Sequence, residues 1–126
     1  YEKEASMHSL ISVLKFYNRV DKDVQNLIRD KIQEVTNKLV ETDPNKWGEY
    51  SLEPYKVAVV AKRFLSTKQE ALAANLSYIL KNLDNGLPQP NWNWYQHDEE
   101  FEKVKGDWVG YLTFEVCKAL RIDRKQ

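Results

Sequence analysis

Four stretches of the chain repeat apolar residues at intervals of three and four, the signature of a helix with one buried face. Met7, Leu10, Ile11, Leu14 and Tyr17 form the first stripe and predict a helix over 3–18. Val24, Leu27, Ile28, Ile32, Val35 and Leu39 form the second and predict a helix over 22–41, with charged residues on its other face. Between them Asn18 to Asp21 is polar, and Asp21 is placed to accept a hydrogen bond from the free N–H groups of the second helix's first turn. A connection this short makes the pair an antiparallel hairpin.

The third stripe, Leu72, Leu76, Ile79, Leu80 and Leu83, predicts a helix over 67–83. Thr67 and Glu70 have the spacing of a capping box at its start. Asp84-Asn85-Gly86 ends it, with Gly86 free to turn left-handed. Trp108, Leu112, Val116 and Leu120 predict a last helix over 108–121. Before it, Asp98 starts a short helix holding Phe101 and Val104, which Gly106 breaks or bends. The middle of the chain lacks a period. Asp43-Pro44 stops the second helix, because proline disfavours helical geometry in the residue before it. Val57-Ala58-Val59-Val60 has the composition of a short strand, yet no partner strand is present in the sequence. The stretch 46–64 therefore reads as an ordered connection packed on the helices, with room for single helical turns. The expected fold class is all-α, one helical domain over 1–126 or the C-terminal part of a larger protein. A chain cut from something longer would open as this one does, on Tyr1 rather than methionine.

Composition narrows the function classes. Nineteen basic residues balance nineteen acidic ones, which leaves no electrostatic footprint for nucleic acid or an anionic membrane. No apolar run approaches the roughly 18 residues of a membrane helix, and no signal peptide is evident. Cys117 is the single cysteine, so an internal disulfide and a thiolate metal cluster are excluded. Its place in an apolar helix reads as core packing in a reducing compartment, and the expected location is cytoplasmic. The sequence holds no P-loop, no dinucleotide fingerprint, no H-E-x-x-H and no G-x-S-x-G elbow. No cofactor and no metal are expected, and no catalytic residue is assigned.

One segment carries unusual chemistry. Trp92, Trp94 and Tyr95 lie within four residues, beside Asn91, Asn93, Gln96 and His97. Aromatic faces with neighbouring amides suit a sugar or a peptide, and they equally suit the anchoring of a long loop. His97-Asp98-Glu99-Glu100 is the place for acid–base or metal chemistry, although adjacent residues at a helix start diverge. Asp98 and Glu99 also complement the positive end of the helix dipole. The candidate ligand-binding residues are thus Trp92, Trp94, Tyr95, His97 and Asp98.

Asn75-Leu76-Ser77-Tyr78-Ile79-Leu80, then Asn85-Gly86, then Pro90-Asn91-Trp92-Asn93-Trp94 resembles a repeat element of α/α-toroid proteins. Trp108 to Leu120 would be the helix that follows, and Asp43 to Tyr50 looks like a connection between hairpins. The family resembled is the prenyltransferase and terpenoid-cyclase-like superfamily, above all its small bacterial members, over roughly residues 39 to 122. The resemblance implies an arc of a toroid and leaves function open. The aspartate-rich acid motif of the cyclases is missing, and the zinc ligand set of the protein prenyltransferases has no counterpart in Cys117 and His97. No catalytic residue carries over.

The leading expectation is a non-catalytic helical binding or interaction domain with an unknown ligand. The alternative is a toroid-type enzyme acting on an isoprenoid or a carbohydrate, with Asp98 or Glu99 as general acid. An arc has open flanks, and Met7, Val13, Phe16 and Val20 add apolar surface beyond one stripe. The expected partner is a second copy of the chain, docked through residues 5–20.

Overall fold

The computed structural model describes the backbone of residues 2–84, 86–88 and 98–124, and the side chains of 6–84, 86–88 and 109–122. Five α-helices account for most of them: α1 (Glu2–Tyr17), α2 (Lys22–Leu39), α3 (Pro54–Ala61), α4 (Gln69–Lys81) and α5 (Asp98–Arg124). Two 3₁₀ segments, Pro44–Lys46 and Lys62–Lys68, complete the order, and no strand occurs among the described residues. The fold is all-α.

The first hairpin forms as its pattern requires. Asp21 takes extended backbone geometry and its Oδ1 accepts the Val24 N–H at 3.1 Å, which starts α2. The Gln25 side chain donates to the Tyr17 carbonyl at 2.8 Å beside the turn. At the far end Ser6 and Leu39 border one groove, so the two helices run antiparallel. Met7, Leu10, Leu14 and Tyr17 are buried, as is Ile32, while Ile28, Val35 and Leu39 pack against the core. Leu27 is exposed, against its place in the predicted stripe. At 100° per residue it falls outside the arc that runs from Val24 through Ile28 to Ile32. The buried arc extends the other way, past Ile32 to Thr36.

The middle of the chain corrects the sequence reading most. Val57 to Val60 are helical, within α3, and Pro54, Tyr55, Val57, Ala58 and Ala61 of that helix are buried. This short helix packs against α1, α4 and α5 together. A helix enclosed on several sides needs no polar face and shows no amphipathic period, so its apolar run is indistinguishable from a strand. Pro54 at its first position is a good helix starter, because a first-turn N–H has no partner within the helix.

The loop before α3 is built around Trp47, which is almost wholly buried. Its indole N–H donates to the Glu41 carbonyl at 2.7 Å, and the Glu41 N–H donates to Leu52 O at 2.9 Å. Asp43 Oδ1 accepts from the Asn45 N–H at 3.0 Å and starts the Pro44–Lys46 turn.

Three further expectations change. The Thr67–Glu70 capping box is absent: Lys68 precedes α4 without a side-chain cap, and Thr67 lies in the 3₁₀ segment that runs directly into the helix. A 3₁₀ lead-in offers its own carbonyls to the first N–H groups, which removes the need for a cap. Helix α5 runs unbroken through Gly106 and Gly110, and spans the short helix and the last helix expected separately. Cys117 is exposed rather than packed in the core. Val116 and Ala119 face inward there, and the residue next to Val116 is turned about 100° away. The side chain of Trp108, expected on the buried stripe of α5, lies outside the described residues. Gly86 takes the expected left-handed conformation, with φ of 79° in a turn closed by the Leu87 N–H on Asp84 O at 3.0 Å, but it does not end the helix: α4 stops at Lys81, with Asn82 as its C-cap.

Thr36 is fully buried and its hydroxyl has no hydrogen-bond partner. An unpaired buried hydroxyl costs on the order of 1–3 kcal/mol, while valine has nearly the same shape and no polar atom. Thr36→Val is therefore expected to stabilise the fold by about 1 kcal/mol, read as a higher urea midpoint with an unchanged slope.

Candidate functional site

Pro54 has no N–H, so the first N–H of α3 is that of Tyr55, and it is buried. Glu53, the residue before the helix, makes no side-chain cap. Asn75, from the middle of α4, supplies the acceptor instead: its Oδ1 takes the Tyr55 N–H at 3.0 Å. The other end of the same amide donates to Glu53 Oε1 at 3.1 Å. One fully buried amide thus links a helix start, a carboxyl group and a second helix.

Glu53 is 6% exposed. Burial raises its pKa, against the smaller lowering effects of the Asn75 hydrogen bond and the nearby Lys56 charge. Tyr55 is pushed up as well, by burial first and then by the charges of Glu53, Glu115 and Tyr111, so its phenol stays neutral across the working range. On α5 the Tyr111 phenol is also raised, by burial and by its hydrogen bond to Glu115.

These groups border a cavity of about 200 Å³. Its walls include Trp47, Glu53, Tyr55 and Tyr78, together with Asn82, Pro88, and Leu112 and Val116 from α5. Trp47 and Tyr78 meet edge to face, with centroids 5.4 Å apart and planes at 61°. A Cβ on Gly48 would sit 3.5 Å from the Tyr78 hydroxyl, so the loop passes close to that ring.

The sequence directed attention elsewhere. Trp92, Trp94, Tyr95 and His97 lie outside the described residues, and Asp98 opens α5 with its side chain outside them too. No group of three or more His, Cys, Asp or Glu able to hold a metal is present among the described residues. Glu53 and Asn75 were missed, although both left a trace. Asn75 is a polar residue on the apolar stripe of Leu72, Leu76 and Ile79, and Glu53-Pro54 is an acid followed by a helix-starting proline.

Comparison with protein-family models, with curated proteins and with solved structures finds no match to this chain.

Two outcomes test the cluster. Asn75→Ala removes an acceptor from a buried N–H and a donor from a buried carboxyl, and should destabilise the fold by about 2–4 kcal/mol in urea unfolding. Because the folded pKa of Glu53 lies above the ordinary value of 4.5, its contribution to stability is complete below that value and is lost as pH rises through the folded one. Glu53→Gln keeps an acceptor for Asn75 without the ionisation. Its stability relative to the parent should grow as pH rises from below about 4.5 and then level off, measured by urea unfolding across that range.

Proposed function

We propose that this chain is a non-catalytic helical interaction domain, an arc of an α/α toroid, that pairs with a second copy of itself through α1. The observation that carries this reading is the surface of the first hairpin. An apolar groove of about 380 Å³ runs between α1 and α2, bordered by Leu10, Val13, Ile32, Val35 and Leu39. Val13 is 40% exposed and Phe16 55% exposed, and the two share one stripe of α1 with Ser6 and Ser9. Groove and projecting ring thus occupy one surface. A twofold axis would let each Phe16 enter the partner's groove, the self-complementary arrangement that symmetric dimers use. Met7, expected to contribute, is buried in the core instead, so the contact narrows to Val13, Phe16 and their neighbours within residues 5–20.

The remaining expectations belong to the same reading. Balanced charge disfavours nucleic acid, and the single cysteine suits the cytoplasm. No helix among the described residues is long and apolar enough to cross a membrane.

The enzymatic alternative draws support from one feature, the raised carboxyl of Glu53 in an aromatic-walled cavity, which would suit a general acid. Glycoside hydrolysis needs a second carboxyl group across the substrate. Among the described residues lining the cavity Glu53 is the one acid, which leaves binding as the better-supported use.

Sedimentation equilibrium at micromolar concentration tests the pairing. The parent chain is expected at twice the monomer mass, and Phe16→Asp at the monomer mass with unchanged helical circular dichroism. A monomer mass for the parent chain would overturn the proposal.

A further inference from the structure

Two exposed stripes frame the groove on the first hairpin, and their order along the chain constrains how a second copy can lie on it. On α1, Ser6, Ser9, Val13 and Phe16 recur at intervals of three and four and share one face. On α2, Leu27, Lys31, Glu34 and Lys38 do the same. Each of these residues is exposed, Leu27 most of all at 83%.

Each stripe has a centre. Ser6 and Phe16 lie equally far along the chain from Ile11, as do Ser9 and Val13. Leu27 and Lys38 lie equally far from the peptide joining Ile32 to Gln33, as do Lys31 and Glu34. The two centres stand side by side in the hairpin. Ser6 and Leu39 border the groove at its open end, and the Gln25 side chain reaches Tyr17 O at its closed end. Ile32 falls midway between Gln25 and Leu39, and Ile11 close to midway between Ser6 and Tyr17. The two helices rise equally per residue, so the centres lie at one level.

A twofold axis crossing both helices at this level turns each stripe onto itself in reverse order. It sets the large Phe16 over the small Ser6 of a second copy, and Val13 over Ser9. On α2 it sets Lys31 over Glu34, and Glu34 over Lys31. An axis shifted to Lys31 would set two lysines together, and one shifted to Glu34 two glutamates, both of which cost free energy. Charge therefore selects the same level that shape does.

We propose that two copies pair as antiparallel hairpins, face to face about this axis, with each Phe16 seated at the Ser6 and Leu39 end of the other's groove and each Lys31 opposite the other's Glu34. This arrangement rests on the self-pairing read above and adds α2 to the contact. Within one chain Lys31 Nζ lies 3.5 Å from Glu34 Oε1, with the side chains 73% and 58% exposed. So long and wet a contact holds neither group, and both are free to turn to a partner. Leu27, exposed on an otherwise charged face, gains a cover in the carbon stem of the second copy's Lys38.

Sedimentation equilibrium at low ionic strength tests the arrangement on the parent chain, Lys31→Glu, Glu34→Lys and an equimolar mixture of the two variants. Each variant alone sets like charges opposite each other twice, and its dimer should dissociate roughly tenfold more readily than the parent's. The mixture restores opposite charges at both places and should regain the parent's dimer affinity. Helical circular dichroism should be unchanged throughout, because both positions are exposed. A monomeric parent would overturn the pairing and this arrangement with it. If the parent is a dimer and each variant alone pairs as tightly, or the mixture pairs no more tightly than either variant, the pairing stands and this arrangement is overturned.

Discussion

The structure depends on one hydrogen-bonded contact, the Asn75 amide against the start of α3. A helix of eight residues has too few internal hydrogen bonds to persist alone, since nucleation costs more than a few added bonds return. Helix α3 persists because it is enclosed by α1, α4 and α5, and enclosure creates a problem at its N-terminus. Pro54 has no N–H, and the buried Tyr55 N–H has no partner within the helix. Asn75 accepts from the Tyr55 N–H and donates one hydrogen bond to Glu53, so the buried start of α3 is locked to the middle of α4.

Other side-chain amides repeat this device at lower stakes. Asn18 donates to Val60 O at 2.8 Å and ties the first turn to the end of α3. Gln33 donates to Phe64 O at 2.8 Å and ties α2 to the 3₁₀ segment that follows α3. Lys62 reaches Ile122 O at 3.3 Å, placing a positive charge on the last turn of α5 where the helix dipole favours it. Each joins residues far apart in the sequence. The packing of Tyr17 against Phe64, with centroids 5.2 Å apart, and the Arg63 guanidinium over the Tyr17 ring add side-chain contact along the same seam.

The two surfaces given functional readings follow from the placement of α3. With α3 on one side of α1, the other edge of the first hairpin keeps its groove, and Val13 and Phe16 stay in contact with solvent. With the start of α3 turned toward α4 and α5, Glu53 is buried beside Trp47, Tyr55 and Tyr78. A carboxyl group there resists ionisation, which is unfavourable for stability at neutral pH.

The sequence by itself determined the class of the fold and the positions of its amphipathic helices. The stripes of α1, α2 and α4 were legible because each of these helices has one wet face, so burial leaves a period of 3.6 in the residue order. The Asp21 cap and the Gly86 turn were legible for a related reason, since both are solved within a few residues of chain. Helix α3 was not, because a helix buried on several sides loses its period and its valines then read as strand. Leu27, Leu80 and Cys117 were misjudged because a stripe read from the sequence does not show how wide an arc the neighbours will cover. Glu53 and Asn75 lie 22 residues apart, and only the packing of α3 on α4 brings them together. Local pattern records which residues avoid water; tertiary structure alone decides which buried polar groups meet, because that pairing depends on how the helices cross.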